Sequence, residues 1–184
     1  MQMIRYLCAE VLREPVPYEE PIFIPWEGIF HPDTPEIFKS AEEYFRFRPR
    51  SPKGTVGLVV SRTSWLNGDC NVELELLRLI EARGYSVLPI YSYSMADDEL
   101  GAKGVGNAIE QFCFWEDGTP VVQAMIRMTG YFVGYGSGHG DSTSVLRRLN
   151  CPVIKPICSY SMTVEEWEGN TDGAVNDVAW SIAL

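Results

Sequence analysis

The sequence predicts an α/β fold: an open, mostly parallel sheet of flavodoxin-like or Rossmann-like type with flanking helices, preceded by a helical and proline-rich connector. Three observations predict it. Val56-Gly-Leu-Val-Val60 is an unbroken apolar run, as expected of a strand covered on both faces, and such strands belong to parallel sheets. A helical pattern follows it and leads to a second apolar run at Val87 to Tyr91, which makes a βαβ unit. Apolar segments at Val122 to Met128 and Val153 to Ile157 then continue the alternation of strands with helices.

Taken in order, Met3, Ile4, Leu7, Cys8, Val11 and Leu12 form a helical stripe that begins without a cap. Pro15, Pro17, Pro21, Pro25, Pro32 and Pro35 favour an extended connector between Glu14 and Pro35. Thr34-Pro35 reads as an N-cap and first helical residue, with Ile37, Phe38, Ala41, Tyr44 and Phe45 as the apolar face of a short helix. Arg46 to Lys53 is expected to be a basic linker, so residues 1–53 form an N-terminal segment and 54–184 the parallel α/β domain.

After the first strand comes a polar loop, Ser61 to Asp69. The next helix starts near Asp69 or Asn71, carries Val72, Leu76, Leu77 and Ile80 inward, and stops at Gly84. Gly101 to Gly106 reads as a flexible break before a helix with Val105, Ile109, Phe112 and Cys113. Asp141 and Ser142 can cap a helix running to Leu149, and Thr163-Val-Glu-Glu166 is a capping box. Val175, Val178, Ala179 and Ile182 share one side of a final helix. Both ends read as helices cut through, the pattern of a segment from a longer polypeptide.

Composition narrows the function classes. A formal charge of −10 opposes phosphate backbones and anionic membrane surfaces, which argues against nucleic acid and membrane as partners. No apolar run approaches the roughly 20 residues needed to cross a bilayer, and no secretory signal follows Met1, so a cytoplasmic chain is expected. The five cysteines are odd in number and widely spaced, as buried thiols are.

In open parallel sheets, ligands bind beyond the carboxyl ends of the strands where the strand order reverses. Two stretches fit. Ser61 to Asp69 offers Arg62 as a cation, Ser64 as a hydroxyl, Trp65 as an aromatic plate and Asp69 near a helix start; its bland alternative is a cap and a cover for the sheet edge. Thr129 to Asp141 carries five glycines around His139, where plain flexibility competes with approach to a ligand. Thr129 and His139 join the candidate substrate-binding residues. No Walker loop, no Gly-x-Ser-x-Gly elbow and no metal-ligand spacing is present, so no catalytic residue and no metal ligand is expected. Glu165, Glu166 and Glu168 read as a solvated helix face.

Several stretches together resemble the large subunit of cobaltochelatase and magnesium chelatase. They are Gly28-Ile-Phe-His-Pro-Asp-Thr-Pro35 with Glu42-Glu-Tyr44; Val56-Gly-Leu-Val-Val-Ser-Arg62 with Leu66-Asn-Gly-Asp69; Leu79 to Gly84 with Val87 to Ile90; and Leu149 to Val153 with Thr163 to Trp167. The resemblance implies a domain that takes part in ATP-dependent insertion of cobalt or magnesium into a tetrapyrrole. In such a complex the large subunit holds the macrocycle and separate AAA+ subunits hydrolyse ATP. The His-Gly pair and glutamate associated with metal insertion in that family lie downstream of this chain's counterpart, so this segment is not expected to catalyse chelation or to bind a cofactor by itself. His31-Pro32-Asp33 leans toward cobalt. Two other classes stay open: a stand-alone flavodoxin-like binding module, and a structural domain that docks the AAA+ subunits.

Overall fold

The prolines ahead of Gly54 do not keep that region out of the sheet. The computed structural model describes residues 2–19, 22–93, 95–129, 143–156 and 162–170. In chain order the elements are α1 (Gln2–Glu10), β1 (Glu27–His31), β2 (Thr34–Phe38), α2 (Ala41–Phe47), β3 (Thr55–Ser61), α3 (Arg62–Asn67), α4 (Asn71–Ala82), β4 (Ser86–Ser92), α5 (Gly104–Phe112), β5 (Ala124–Arg127), α6 (Thr143–Leu149), β6 (Val153–Ile154) and α7 (Val164–Gly169).

The six strands lie in the order β2-β1-β4-β3-β5-β6. β3 is parallel to both β4 and β5, and β6 is parallel to β5, as the apolar runs predict. β1 and β2 form an antiparallel hairpin that zips onto β4, Ile29 opposite Ile90. The expected extended connector therefore becomes sheet from Glu27 onward, and Thr34-Pro35 starts a strand instead of a helix. Pro35 is tolerated because β2 is an edge strand with one unpaired side. The helix of this region begins later, at Ala41, capped by the Ser40 hydroxyl, which accepts from the Glu43 N–H at 3.2 Å.

Two apolar layers cover the sheet. Ile29, Val59, Ile90, Met125 and the buried faces of α2 and α5 fill one, while Phe30, Leu58, Val60 and Tyr91 face α3 and α4 on the other. Tyr44 of α2 is fully buried, and its hydroxyl donates to the Val87 carbonyl at 2.9 Å, tying the N-terminal region to β4. On α4, Leu77 is fully buried and Leu76 and Ile80 pack on the layer, but Val72 is exposed, against expectation. It sits in the first turn, where the helix faces solvent. The expected break at Gly101 to Gly106 is half helix: Gly104, at φ +80, opens α5, and an added Cβ would meet the Ala96 nitrogen at 2.7 Å. β6 is shorter than its apolar run. The Thr163 capping box forms as read. The expected Asp141 and Ser142 cap, the residues around His139 and the final helical stretch lie outside the described residues.

An ionic cluster clamps the hairpin to α2 and α4. His31 is buried; its Nδ1 accepts from the Asp33 N–H at 3.2 Å, so the ring proton sits on Nε2, 3.3 Å from Glu81 Oε1. Arg48 donates to Glu81 at 3.0 Å and Arg78 pairs with Asp33. Burial pushes the imidazole below its ordinary value despite the Glu81 carboxylate.

Candidate functional site

The parallel strands determine where a ligand crevice lies. From β3 the chain crosses to β4 on one side and then returns past β3 to β5 on the other. The order reverses there, so the crevice opens beyond the carboxyl ends of β3 and β5, and both stretches singled out in the sequence leave from that point.

The first stretch is not a loop. Arg62–Asn67 winds into α3, closed by Gly68 at φ 72 in the left-handed region, which a glycine adopts without strain. Asp69 is exposed and does not cap α4, whose N-cap residue, Cys70, makes no side-chain cap bond. Ser64, half-buried, accepts the Asp69 N–H on its carbonyl at 2.8 Å. Arg62 turns back to the connector: Nε donates to the Pro25 carbonyl and Nη2 to that of Ile24, both at 2.9 Å, and the guanidinium lies 4.5 Å from the Trp26 ring centroid. Trp65 stacks flat on Tyr91. Thr129, after β5, is fully buried, and its Oγ1 has no hydrogen-bond partner.

Register places a polar row across the carboxyl edge of the sheet. Glu27 of β1 lies opposite Ser92 of β4, and Ser92 opposite Ser61 of β3, on the face that carries α5. Arg127 ends β5 on the same face, beside Val59, and is 6% exposed. Lys155 follows β6 next to it, since Ile154 pairs with Ile126. Asn107 of α5 donates to Glu27 Oε1 at 3.4 Å, and Glu27 Oε2 is buried without a partner. Burial raises the Glu27 carboxyl above its ordinary value, against the opposing pull of Lys103, Asn107 and Arg62. Burial likewise lowers Arg127, and burial together with the Arg127 charge lowers Lys155. The row is thus carboxyl at one end and cationic at the other.

On the opposite face, a groove of about 430 Å³ runs between the hairpin and the α3–α4 turn, lined among others by Phe30, Thr34, Trp65 and Leu74. Among the described residues, no group of three His, Cys, Asp or Glu side chains is arranged to hold a metal ion, and no helix is long and apolar enough to cross a membrane.

The sequence model of the family described as CobN/Magnesium Chelatase matches residues 1–184. The chain belongs to that family. Within this CobN/magnesium chelatase family, an uncharacterized protein of Methanocaldococcus jannaschii is 28% identical over 165 residues, covering 87% of this chain and 13% of its own length. A magnesium-chelatase subunit of Cereibacter sphaeroides is 26% identical over 173 residues, covering 90% of this chain and 14% of its own. The chain therefore spans about one-seventh of the curated relatives it matches. The structure of the catalytic subunit of cobaltochelatase from Mycobacterium tuberculosis superposes with a TM-score of 0.59 over 99% of this chain and 14% of that chain, at 20% identity, which establishes the shared fold.

Of the six candidates, Arg62, Ser64, Trp65 and Asp69 stand on or just after α3, Thr129 stands beside them across β3 and β5, and His139 is outside the described residues. Sequence reasoning passed over Glu27, Arg127 and Lys155. Glu27 was hidden by the surrounding prolines, and Arg127 by its place inside an apolar strand; the alternation Met125, Arg127 against Ala124, Ile126 was the available signal.

Proposed function

We propose that this chain is the part of a metal-chelatase large subunit that builds an α/β platform under the tetrapyrrole-binding cleft. The observation that carries this reading is the family match over the entire chain, joined to a crevice at the sheet's reversal point whose edge is polar and partly unsatisfied. Cobalt insertion in cobalamin biosynthesis is the preferred activity of the parent protein, with magnesium as the other choice of metal substrate. ATP would be hydrolysed by separate AAA+ subunits in a cytoplasmic complex, and the rest of the polypeptide would complete the cleft and supply the residues that insert the metal.

Within the crevice, the α3 residues act as a wall. Arg62 spends two donors on the connector carbonyls and so orders Trp26, which presents an aromatic edge beside the crevice mouth together with Tyr93, 5.6 Å away. Trp65 and Leu66 fill the position where a flavin phosphate cradle needs small residues, which disfavours the flavodoxin-like alternative. The test is titration of the chain with a free-base porphyrin, followed by quenching of tryptophan emission. Saturable quenching, weakened in Arg62→Ala, supports the reading; no quenching in the wild-type chain removes it.

A further inference from the structure

The cationic end of the polar row has no role in the wall just described. Arg127 is 6% exposed at the carboxyl end of β5, and Lys155 follows the neighbouring β6 in parallel register, so two cations stand side by side in a chain of net charge −10. Two residues beyond Arg127, Thr129 is 0% exposed and its hydroxyl oxygen has no hydrogen-bond partner. A buried hydroxyl without a partner costs free energy that a valine in its place would not. Arg127 and Lys155 share one corner at the carboxyl edge of the sheet, close enough for the Arg127 charge to act on Lys155, and Thr129 follows two residues after Arg127, an interval that returns an extended chain to the same face.

We propose that Arg127, Lys155 and Thr129 form a carboxylate subsite, which receives a peripheral carboxylate of the bound macrocycle at the end of the crevice opposite Glu27. The proposal rests on the tetrapyrrole reading for the identity of the ligand, but not for the chemistry of the corner. A carboxylate suits that chemistry: it spreads one negative charge between two cations and accepts from a hydroxyl that has nothing else to bond. Glu27 stands three strands away, about 14 Å at the usual inter-strand spacing, so it sets the polarity of the row without opposing an anion at this corner.

The experiment compares mesoporphyrin IX, which carries two free carboxylates, with its dimethyl ester, in dilute detergent, by quenching of tryptophan emission in the full chain. The wild type binds the acid about tenfold more tightly than the ester, the worth of one charge-assisted hydrogen-bonded contact. Lys155→Met closes most of that gap and Lys155→Arg restores it. Thr129→Val weakens the acid form alone while its unfolding midpoint stays the same or rises; a merely structural hydroxyl would change stability and leave the acid-to-ester ratio untouched. An equal affinity for acid and ester, or a gap that survives in both Lys155→Met and Thr129→Val, overturns the subsite while the tetrapyrrole reading stands. Should neither porphyrin bind, that reading falls, and the corner is judged with carbon-13 acetate by NMR. Line broadening lost in Lys155→Met upholds an anion site, and its absence in the wild type rejects one.

Discussion

The indole of Trp65 lies flat on the phenol ring of Tyr91, with centroids 4.0 Å apart and planes 4° from parallel. This stack joins α3 to β4, two elements that touch little otherwise, and Phe30 closes it from β1 at 5.7 Å from Trp65. Trp65→Ala should lower stability by about 2–3 kcal/mol, somewhat less than for a fully buried tryptophan. Trp65→Phe should recover more than half of that loss. Urea denaturation of the two variants measures it, and equal losses would show that an aromatic ring at this position does not stabilise by packing on Tyr91.

Gly28 owes its identity to Tyr91. A Cβ there would lie 2.7 Å from the Tyr91 Oη and 2.7 Å from Ile37 Cγ2. Gly28→Ala should cost about 1–3 kcal/mol by overpacking. Tyr91→Phe alone should be neutral or stabilising, because its hydroxyl is buried without a partner and burial has pushed its pKa up to about 12. In the double variant the cost of Gly28→Ala should shrink. A strictly additive double-mutant cycle would contradict this account.

His31 gives the fold a pH dependence of known sign. Its folded pKa is lowered from 6.5, chiefly by burial, so the unfolded chain binds more protons as the pH falls through that value. Stability should hold above about pH 6.5 and decline below it until the folded imidazole also titrates. The Asp33 carboxyl, lowered from 3.8 chiefly by its hydrogen bond from Arg78, contributes in a separate and more acidic window. Thermal melts between pH 5 and 7 should show a slope in the wild type that flattens in His31→Gln.

Glu27 should act in the opposite direction. A carboxyl raised above 4.5 by burial makes the folded chain the better proton binder, so stability falls as the pH rises through its titration range. Glu27→Gln, which keeps the Asn107 contact, should be more stable than the wild type at pH 7 and lose that advantage near pH 4. Identical profiles for the two proteins would show that Lys103 and Arg62 fully offset the burial.

Arg62 should prove to be an anchor for the connector. Arg62→Ala frees the carbonyls of Ile24 and Pro25 and the face of Trp26, so limited proteolysis should cut the connector faster. Arg62→Lys should not restore protection, because an ammonium can neither make the paired contacts nor stack as a guanidinium plane does.

The βαβ heart was legible because its signals are local and agree with one another. The apolar run of β3, the Leu77 stripe with its Gly84 stop, and the apolar run of β4 each identify one element. The hairpin was not legible, because six prolines outweigh the short apolar run Gly28-Ile-Phe30, and its pairing with β4 is a long-range event that no local pattern announces. α3 was missed because six residues are too few for a helical period to declare itself. In the site, the place of Ser61 and Thr129 after neighbouring parallel strands followed from strand type. The direction taken by Arg62 did not, since its partners are carbonyls some 37 residues earlier in the chain. Buried charges such as Arg127 are invisible to a reading that expects strands to be apolar.

The antiparallel hairpin also guards against self-association. β4 is buried along all seven of its residues, and β1 occupies the side of it that β3 does not. A chain trimmed to begin at Gly54 would expose the β4 backbone over an apolar edge, a template for sheet-to-sheet growth. β2, which replaces it as the border, carries Pro35 and Glu36 outward and is a poor template. The hairpin thus serves as a terminator that keeps one sheet from recruiting another.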